Sequence, residues 1–309
     1  MPVCEADPWR LQYFERVPCP DDVNVPTEDA DCWMWYPSHR WVYNKLAVAQ
    51  SQDIASAPHA VMPASFPVFS KPIMNLRGMG TGSRIIASAK DYPAAIRPGH
   101  FWMELLSGDH VSTDVAVQRG RPAWWRHATG LPRKGGTFDY WEVHAEAMPA
   151  LEDSAGRWIT TNMRDYTGML NLETIGGRII EVHLRFADQW PDLYGKGWVE
   201  SLIRLYADKR WIFLEPERRP GYSVVLFGPN GRRYRHPDRA LVAELLNRPN
   251  VSSVQITFHE DKHPDLHAMP PGGFRLAIVN CNDLEAGRAV RRKLYTAIVG
   301  PTRAQGKKP

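Results

Sequence analysis

The sequence has few cysteines and no long apolar run, and each shortage excludes a class of protein. Its 309 residues include four cysteines, and no two of them stand at the short spacing of a paired site. We therefore expect free thiols in a cytoplasmic protein rather than a disulfide framework. No run approaches the ~18 apolar residues of a membrane-spanning helix, so we expect no integral membrane protein.

A secretory leader and a strong net charge are also lacking. The first seven residues have neither a basic start nor an apolar stretch, which predicts no signal peptide. Lys and Arg number 38 against 34 Asp and Glu, and this net charge of +4 is too small to argue for nucleic acid binding. The 43% hydrophobic and 23% charged residues are near the globular average, which excludes wholesale disorder and a coiled coil.

Proline and tryptophan are abundant, with 26 and 12 residues, and indicate a loop-rich fold. Changes in composition divide the chain into four segments. We expect an N-terminal arm with one strand at 1–40, a first subdomain at 41–106, a second at 107–205, and a small C-terminal α/β subdomain at 206–309. The arm is too short to be a domain.

Local patterns predict short elements within these segments. We expect helices near 44–52, 238–247 and 283–297. Strands are predicted at 60–62, 67–71, 101–106, 111–118, 122–127, 222–227, 251–258 and 274–279. The strands between 101 and 127 read as an antiparallel meander in which 111–118 is half exposed.

Polar residues interrupt apolar sequence most densely in a predicted hairpin at 168–186. Because alternate residues of a strand share a face, Asn171 and Glu173 point one way, and so do Glu181, His183 and Arg185. Two carboxylates on one wall suit magnesium, and an arginine at its end suits a phosphate or carboxylate. An amphipathic hairpin with a solvated charged face gives the same pattern, and the hairpin alone leaves both interpretations open.

The turn of this hairpin decides whether the two glutamates meet. Gly176-Gly177 favours a two-residue turn, in which 175 pairs with 178 and Glu173 and Glu181 fall on opposite faces. A shared metal then requires a loop of odd length or a β-bulge. We predict that one of the two is present.

Four segments, in order, resemble motifs of the ATP-grasp superfamily of carboxylate–amine ligases. Tyr43-Asn44-Lys45-Leu46 resembles the helix with the first lysine. Lys71 and the glycines after it resemble the second lysine and the phosphate-covering loop. Residues 103–114 resemble the hinge strand that holds adenine and the strand after it. Glu173, followed by the Glu-x-His-x-Arg-Phe run of 181–186, resembles the metal-binding hairpin.

The resemblance implies an α+β fold in which two subdomains clasp ATP between antiparallel sheets. It implies an ATP- and Mg²⁺-dependent ligase that activates a carboxylate as an acyl phosphate and joins it to an amine or other nucleophile. A small-molecule kinase of this fold and a non-catalytic nucleotide-binding module are the alternatives. The implied roles are catalysis for Arg185 and Lys71, nucleotide binding for Lys45, Lys71, Gly78, Gly80, Gly82, Glu104, Leu105, Leu106, Asp109 and His110, and metal binding for Glu173, Glu181 and His183.

The sequence departs from the family pattern in three respects. His183 stands where the family usually has asparagine, and His110 stands where a ribose-binding acid is common. The family usually begins with an α/β domain that residues 1–40 are too few to form. A partner chain that supplies this domain is therefore one expectation.

A second motif, His259-Glu260-Asp261-Lys262-His263, fits the zinc-protease pattern H-E-x-x-H. That pattern needs both histidines one turn apart on a helix. A strand-like run leads into it, and Pro264 would clash with the carbonyl of residue 260 if a helix continued. We predict a loop whose histidines bind no metal.

Overall fold

The structure, a computed structural model, describes residue 5 and residues 7–76, 80–215, 217–267 and 270–300. The helices are α1 (Pro8–Leu11), α2 (Asp29–Trp35), α3 (Lys45–Gln50), α4 (Tyr92–Ala95), α5 (Pro149–Asn162), α6 (Trp198–Ala207), α7 (Arg239–Leu246) and α8 (Leu284–Ile298). The strands are β1 (Ser56–Pro58), β2 (Val68–Pro72), β3 (Arg84–Ile86), β4 (His100–Glu104), β5 (His110–Gln118), β6 (Arg121–Arg133), β7 (Thr137–Val143), β8 (Gly168–Ile175), β9 (Arg178–His183), β10 (Gly221–Gly228), β11 (Val251–Ile256) and β12 (Phe274–Cys281). Within these ranges, no helix is long and apolar enough to cross a lipid bilayer.

A small antiparallel sheet has the strand order β1-β4-β2-β3. Lys71 on β2 pairs with Phe101 on β4, and Phe69 pairs with Met103, so these four side chains share one face. That face packs against α3 and against Ile180 on β9. The small sheet therefore turns the Lys71 side chain toward the hairpin of β8 and β9.

A large antiparallel sheet contains the other eight strands, in the order β11-β12-β10-β7-β6-β5-β8-β9. Its strand β5 is buried on both faces. Val115 packs with Trp158 of α5 on one side, and Ala116 packs with Trp198 of α6 on the other. The prediction that 111–118 is half exposed is therefore wrong, because helices cover both faces of the sheet here.

The C-terminal elements α7, β11, β12 and α8 lie close to their predicted positions. Their apolar residues form a core of their own, in which Leu245 of α7 and Val290 of α8 pack on the strands. Strand β10 also pairs with β7, where Gly221 lies opposite Val143. The strands of this segment thus continue the large sheet.

Three local predictions are wrong. The described part of the arm contains α1 and α2 and no strand. Residues 60–62 form a turn, because the Val61 carbonyl accepts hydrogen bonds from the side chains of Tyr92 and Trp102 instead of pairing with a strand. Strand β4 belongs to the small sheet, so the meander begins only at β5.

Candidate functional site

The hairpin of β8 and β9 combines a two-residue turn with a bulge. Gly176 and Gly177 adopt positive φ angles of 55° and 78°, as such turns require. Ile175 pairs with Arg178 and Thr174 with Ile179, but the register then shifts, so that Glu173 lies directly opposite Glu181. The predicted bulge is confirmed, and its extra residue is Ile180. The two carboxylates share a face because of this one residue.

Two carboxylates and an imidazole meet on that face. Single ligand atoms of Glu173, Glu181 and His183 all lie within 4.8 Å of one another. Glu173 Oε2 also lies 3.1 Å from His110 Nε2. Burial alone raises the pKa of Glu173, but the hydrogen bond and charge of His110, with the charges of His183 and Lys45, hold this pKa well below its usual range. The arrangement therefore keeps Glu173 ionised as an oxygen donor.

Both predicted lysines reach this hairpin from the side of the small sheet. Lys45 begins α3, whose N-cap Asn44 accepts a hydrogen bond from the Ala47 amide, and its Nζ donates to Glu181 Oε1 at 2.5 Å. Lys71 Nζ donates to the carbonyl of the bulge residue Ile180 at 2.8 Å. Burial lowers the pKa of Lys71 to about 8, although the nearby Glu181 opposes this shift. Two cations thus face two carboxylates between the sheets.

The N-terminal arm supplies a site residue that no sequence pattern predicts. Asp29 at the start of α2 is only 3% exposed. Its Oδ2 accepts a hydrogen bond from His183 Nδ1 at 2.9 Å, and its Oδ1 lies 3.1 Å from Arg185 Nε. Burial opposes ionisation, but Arg185 and His183 hold the pKa of Asp29 below its usual range. No local signal identifies Asp29, because its partners lie 154 and 156 residues away in the sequence.

A second buried acid fixes the chain beyond Arg185. Asp114 on β5 accepts hydrogen bonds from the Ala187 amide, the Tyr194 hydroxyl and Asn171 Nδ2, each at 2.8 Å. Burial raises the pKa of Asp114 to about 6, while these donors oppose the shift. Asn171 Nδ2 is used in this network. Its side chain therefore supports the hairpin and is not one of the metal-ligand candidates beside Glu173.

The glycine-rich loop between β2 and β3 is described only in part. Gly78 lies outside the described residues. Gly80 and Gly82 are exposed and adopt positive φ angles of 60° and 82°. Such angles are easily reached only by glycine, so both residues allow a backbone path that side chains would strain.

The expected adenine segment connects the two sheets. The Glu104 amide donates to the Ala55 carbonyl at 2.9 Å, while the backbones of Leu105 and Leu106 have no backbone partner within the described ranges. Asp109 is exposed, and its carbonyl accepts a hydrogen bond from the Gly176 amide at 3.2 Å. The segment therefore touches the hairpin turn and leaves backbone groups free for a ligand.

The H-E-x-x-H segment forms no helix, as predicted. His259 Nε2 lies 2.9 Å from Asp7 Oδ1, and His263 Nδ1 accepts a hydrogen bond from the Asp265 amide at 3.4 Å. In the part of the chain that the structure describes, neither histidine belongs to a group of three side chains that could hold a metal ion.

A second acidic group is formed by Glu5, Asp7 and Glu28. The guanidinium of Arg10 forms ion pairs with all three. The group is therefore held together by a cation of the protein itself.

Comparisons with known proteins identify a fold. Neither a protein-family model nor a curated protein sequence matches the chain. Solved structures do match it, among them L-amino acid ligase from Bacillus licheniformis, with 14% identity over 84% of this chain and 71% of that chain and a TM-score of 0.55.

Two further matches cover larger shares of both chains. N5-carboxyaminoimidazole synthase from Aspergillus clavatus, in complex with ADP and 5-aminoimidazole ribonucleotide, has 14% identity over 89% of this chain and 81% of that chain, with a TM-score of 0.60. Phosphoribosylamine–glycine ligase from Thermotoga maritima has 15% identity over 90% of this chain and 83% of that chain, with a TM-score of 0.61. The chain therefore shares the fold of these three proteins, and this fold is α+β, as its motifs predict.

Proposed function

We propose that this chain is an ATP-dependent ligase that activates a small-molecule carboxylate as an acyl phosphate and joins it to an amine or other nucleophile. The observation that carries the proposal is the pairing of Glu173 with Glu181 across the bulge, opposite Lys45 and Lys71. A retired site has no physical need to hold two carboxylates together. Two of the proteins of similar fold are named ligases, and a third, carboxyaminoimidazole ribonucleotide synthase from Aspergillus clavatus, was solved with ATP.

The metal ligands in this proposal are Glu173, Glu181 and His183. Their donor set fits a divalent cation, because two carboxylate oxygens and an imidazole nitrogen converge within 4.8 Å. When bound, the proposed Mg²⁺ supplies positive charge that neutralises the phosphate oxygens.

The nucleotide lies between the two sheets in this proposal. Lys45 and Lys71 donate charge-assisted hydrogen bonds to its phosphates. The positive-φ glycines, Gly80 and Gly82, let backbone N–H groups approach the same phosphates. The free backbone groups after Glu104 pair with the adenine edge, and Asp109 binds the ribose.

The chemistry proceeds in two displacements. A carboxylate oxygen of the substrate attacks the γ-phosphorus, and ADP leaves with the electron pair of the broken bond. The amine then attacks the acyl carbon, phosphate leaves, and the amine proton passes to the phosphate. Arg185, held by Asp29, donates hydrogen bonds to the transferred phosphoryl group. Catalysis consists of positioning and charge neutralisation, so no side-chain nucleophile is needed.

An assay of ATP consumption with pooled amino acids and carboxylates tests the proposal. Phosphate release together with a new amide supports the ligase. A stable phosphoester identifies the kinase instead, and tight ATP binding without turnover identifies the binding module. Glu181→Gln is the matched control, because it keeps the shape of the side chain and removes its charge. A partner chain has no support in the comparisons, and none is required for this reaction.

A further inference from the structure

We propose that His183 is a nitrogen ligand of the metal, that Asp29 orients it, and that this imidazole makes the site prefer Mn²⁺ to Mg²⁺. The inference rests on the proposed function, because it concerns the metal of the same site. It goes further in assigning a positioning role to Asp29 in the arm and in naming the class of cation that the site selects.

The hydrogen bonds of His183 fix which of its nitrogens can bind a cation. Nδ1 lies 2.9 Å from Asp29 Oδ2. A carboxylate only accepts hydrogen bonds, so Nδ1 carries a proton, and Nε2 is the nitrogen that remains for a cation. Nε2 lies 3.8 Å from Glu181 Oε2, which is too far for a hydrogen bond. His183 is 5% exposed, so Nε2 is buried beside a carboxylate oxygen.

A cation fits this geometry. Nε2 of His183 and the Oε2 atom of Glu181 face each other at 3.8 Å without a hydrogen bond between them. A cation between them would bind both and would also reach Glu173. Protein metal sites commonly show this arrangement, in which the second nitrogen of a ligating histidine donates to a carboxylate.

Asp29 is itself held in place, so it can act as a positioning residue. Tyr43 donates its hydroxyl to Asp29 Oδ1 at 3.2 Å, and the Arg185 guanidinium contacts both carboxylate oxygens. These donors fix the carboxylate, and the carboxylate fixes the imidazole ring. The arm therefore determines where Nε2 of His183 points.

The nitrogen ligand decides the metal preference. Both Mg²⁺ and Mn²⁺ suit carboxylate ligands, but Mg²⁺ is the harder cation and dehydrates reluctantly, whereas Mn²⁺ begins the transition series and accepts an imidazole nitrogen more readily. His110 does not compete for this role, because its Nε2 already bonds to Glu173 Oε2 at 3.1 Å. The two histidines thus provide a matched pair, one predicted to bind metal and the other not.

The test is pulsed electron paramagnetic resonance of Mn²⁺ bound to the full chain with a non-hydrolysable ATP analogue. The protein is labelled with ¹⁵N in its histidines, so that adenine nitrogens do not contribute. We expect ¹⁵N coupling in the unsubstituted protein and in His110→Gln, and none in His183→Asn. Competition titrations should show that His183→Asn lowers the ratio of Mn²⁺ to Mg²⁺ affinity by about tenfold. Asp29→Asn should weaken Mn²⁺ binding by roughly 10- to 100-fold, as loss of an orienting carboxylate does.

The outcomes distinguish failure of the nitrogen-ligand proposal from failure of the ligase proposal. Bound Mn²⁺ without ¹⁵N coupling, or an unchanged affinity ratio in His183→Asn, overturns the nitrogen ligand and leaves the ligase proposal standing. Absence of any nucleotide-dependent Mn²⁺ binding overturns both. If Asp29→Asn fails to fold by circular dichroism, the His183→Asn and His110→Gln spectra alone decide.

Discussion

Replacing Lys45 by methionine should change metal affinity and ATP affinity in opposite directions. Lys45 Nζ lies 2.5 Å from Glu181 Oε1, and the two side chains are only 7% and 15% exposed. In the protein without nucleotide, this ammonium group competes with a bound cation for the negative charge of Glu181. Methionine keeps the apolar stem of lysine and removes its charge, so the substitution frees Glu181.

The size of both changes follows from the lost charge-assisted hydrogen bond. Such bonds contribute about 1.5–3 kcal/mol, and each 1.4 kcal/mol corresponds to about tenfold in affinity. Metal affinity without nucleotide should therefore rise by roughly tenfold to a hundredfold in Lys45→Met. ATP affinity should fall on the same scale, because a phosphate loses its cationic partner. General damage to the fold would weaken both.

Calorimetry measures both affinities directly. Mg²⁺ is titrated into the nucleotide-free protein, and a non-hydrolysable ATP analogue is titrated separately. Lys262→Met is the matched control, because Lys262 is exposed in a loop and should leave both affinities unchanged. Metal affinity that stays the same or falls in Lys45→Met would refute the competition between lysine and cation.

Three further predictions concern turnover, pH and stability. Glu173→Gln and Glu181→Gln should leave the protein folded and abolish ATP consumption, and near-normal turnover at saturating Mg²⁺ would contradict their role. Burial lowers the pKa of Lys71 to about 8, so Lys71 loses its charge as the pH rises through 8, and binding isotherms should show a falling ATP affinity over this range. Lys71→Arg should show no such fall, because arginine stays charged. Arg126→Met breaks a buried ion pair with Glu215 at 2.7 Å, so urea unfolding should show a loss of about 3–5 kcal/mol in the free energy of unfolding. The double variant with Glu215→Gln should lose less than the sum of the losses in the two single variants.

Sequence patterns predict elements well where their periodicity is strong. The predicted helix at 283–297 matches α8, and Gly176-Gly177 forms the turn that its glycines favour. Helix α5 is not among the predicted helices, although its buried residues recur at helical spacing: Leu151, Ala155, Trp158 and Ile159. Periodicity gives no information about strand partners, so the pairing of β10 with β7 could not be predicted.

The residues of the candidate site also fall into those that the sequence predicts and those that it does not. The order of the motifs predicts Lys45, Lys71, Glu173 and Glu181, and the structure brings these four side chains together between the two sheets. Asp29 is not found, because an acid in the first turn of a helix is ordinarily explained by the helix dipole. Its partners are distant in sequence, and only the folded chain shows what it holds.

The bulge at Ile180 also constrains how this hairpin can change in length. Side chains alternate along a strand, so losing the bulge while the length and the two-residue turn are kept would put Glu181 and His183 on the opposite face from Glu173 and bring Val182 to their place. Deleting Ile180 together with the bulge, or a turn of odd length, would keep the common face. When related chains are aligned, a single-residue gap in this hairpin therefore marks either an exchange of the bulge for a regular ladder or the loss of the common face on which Glu173 and Glu181 meet.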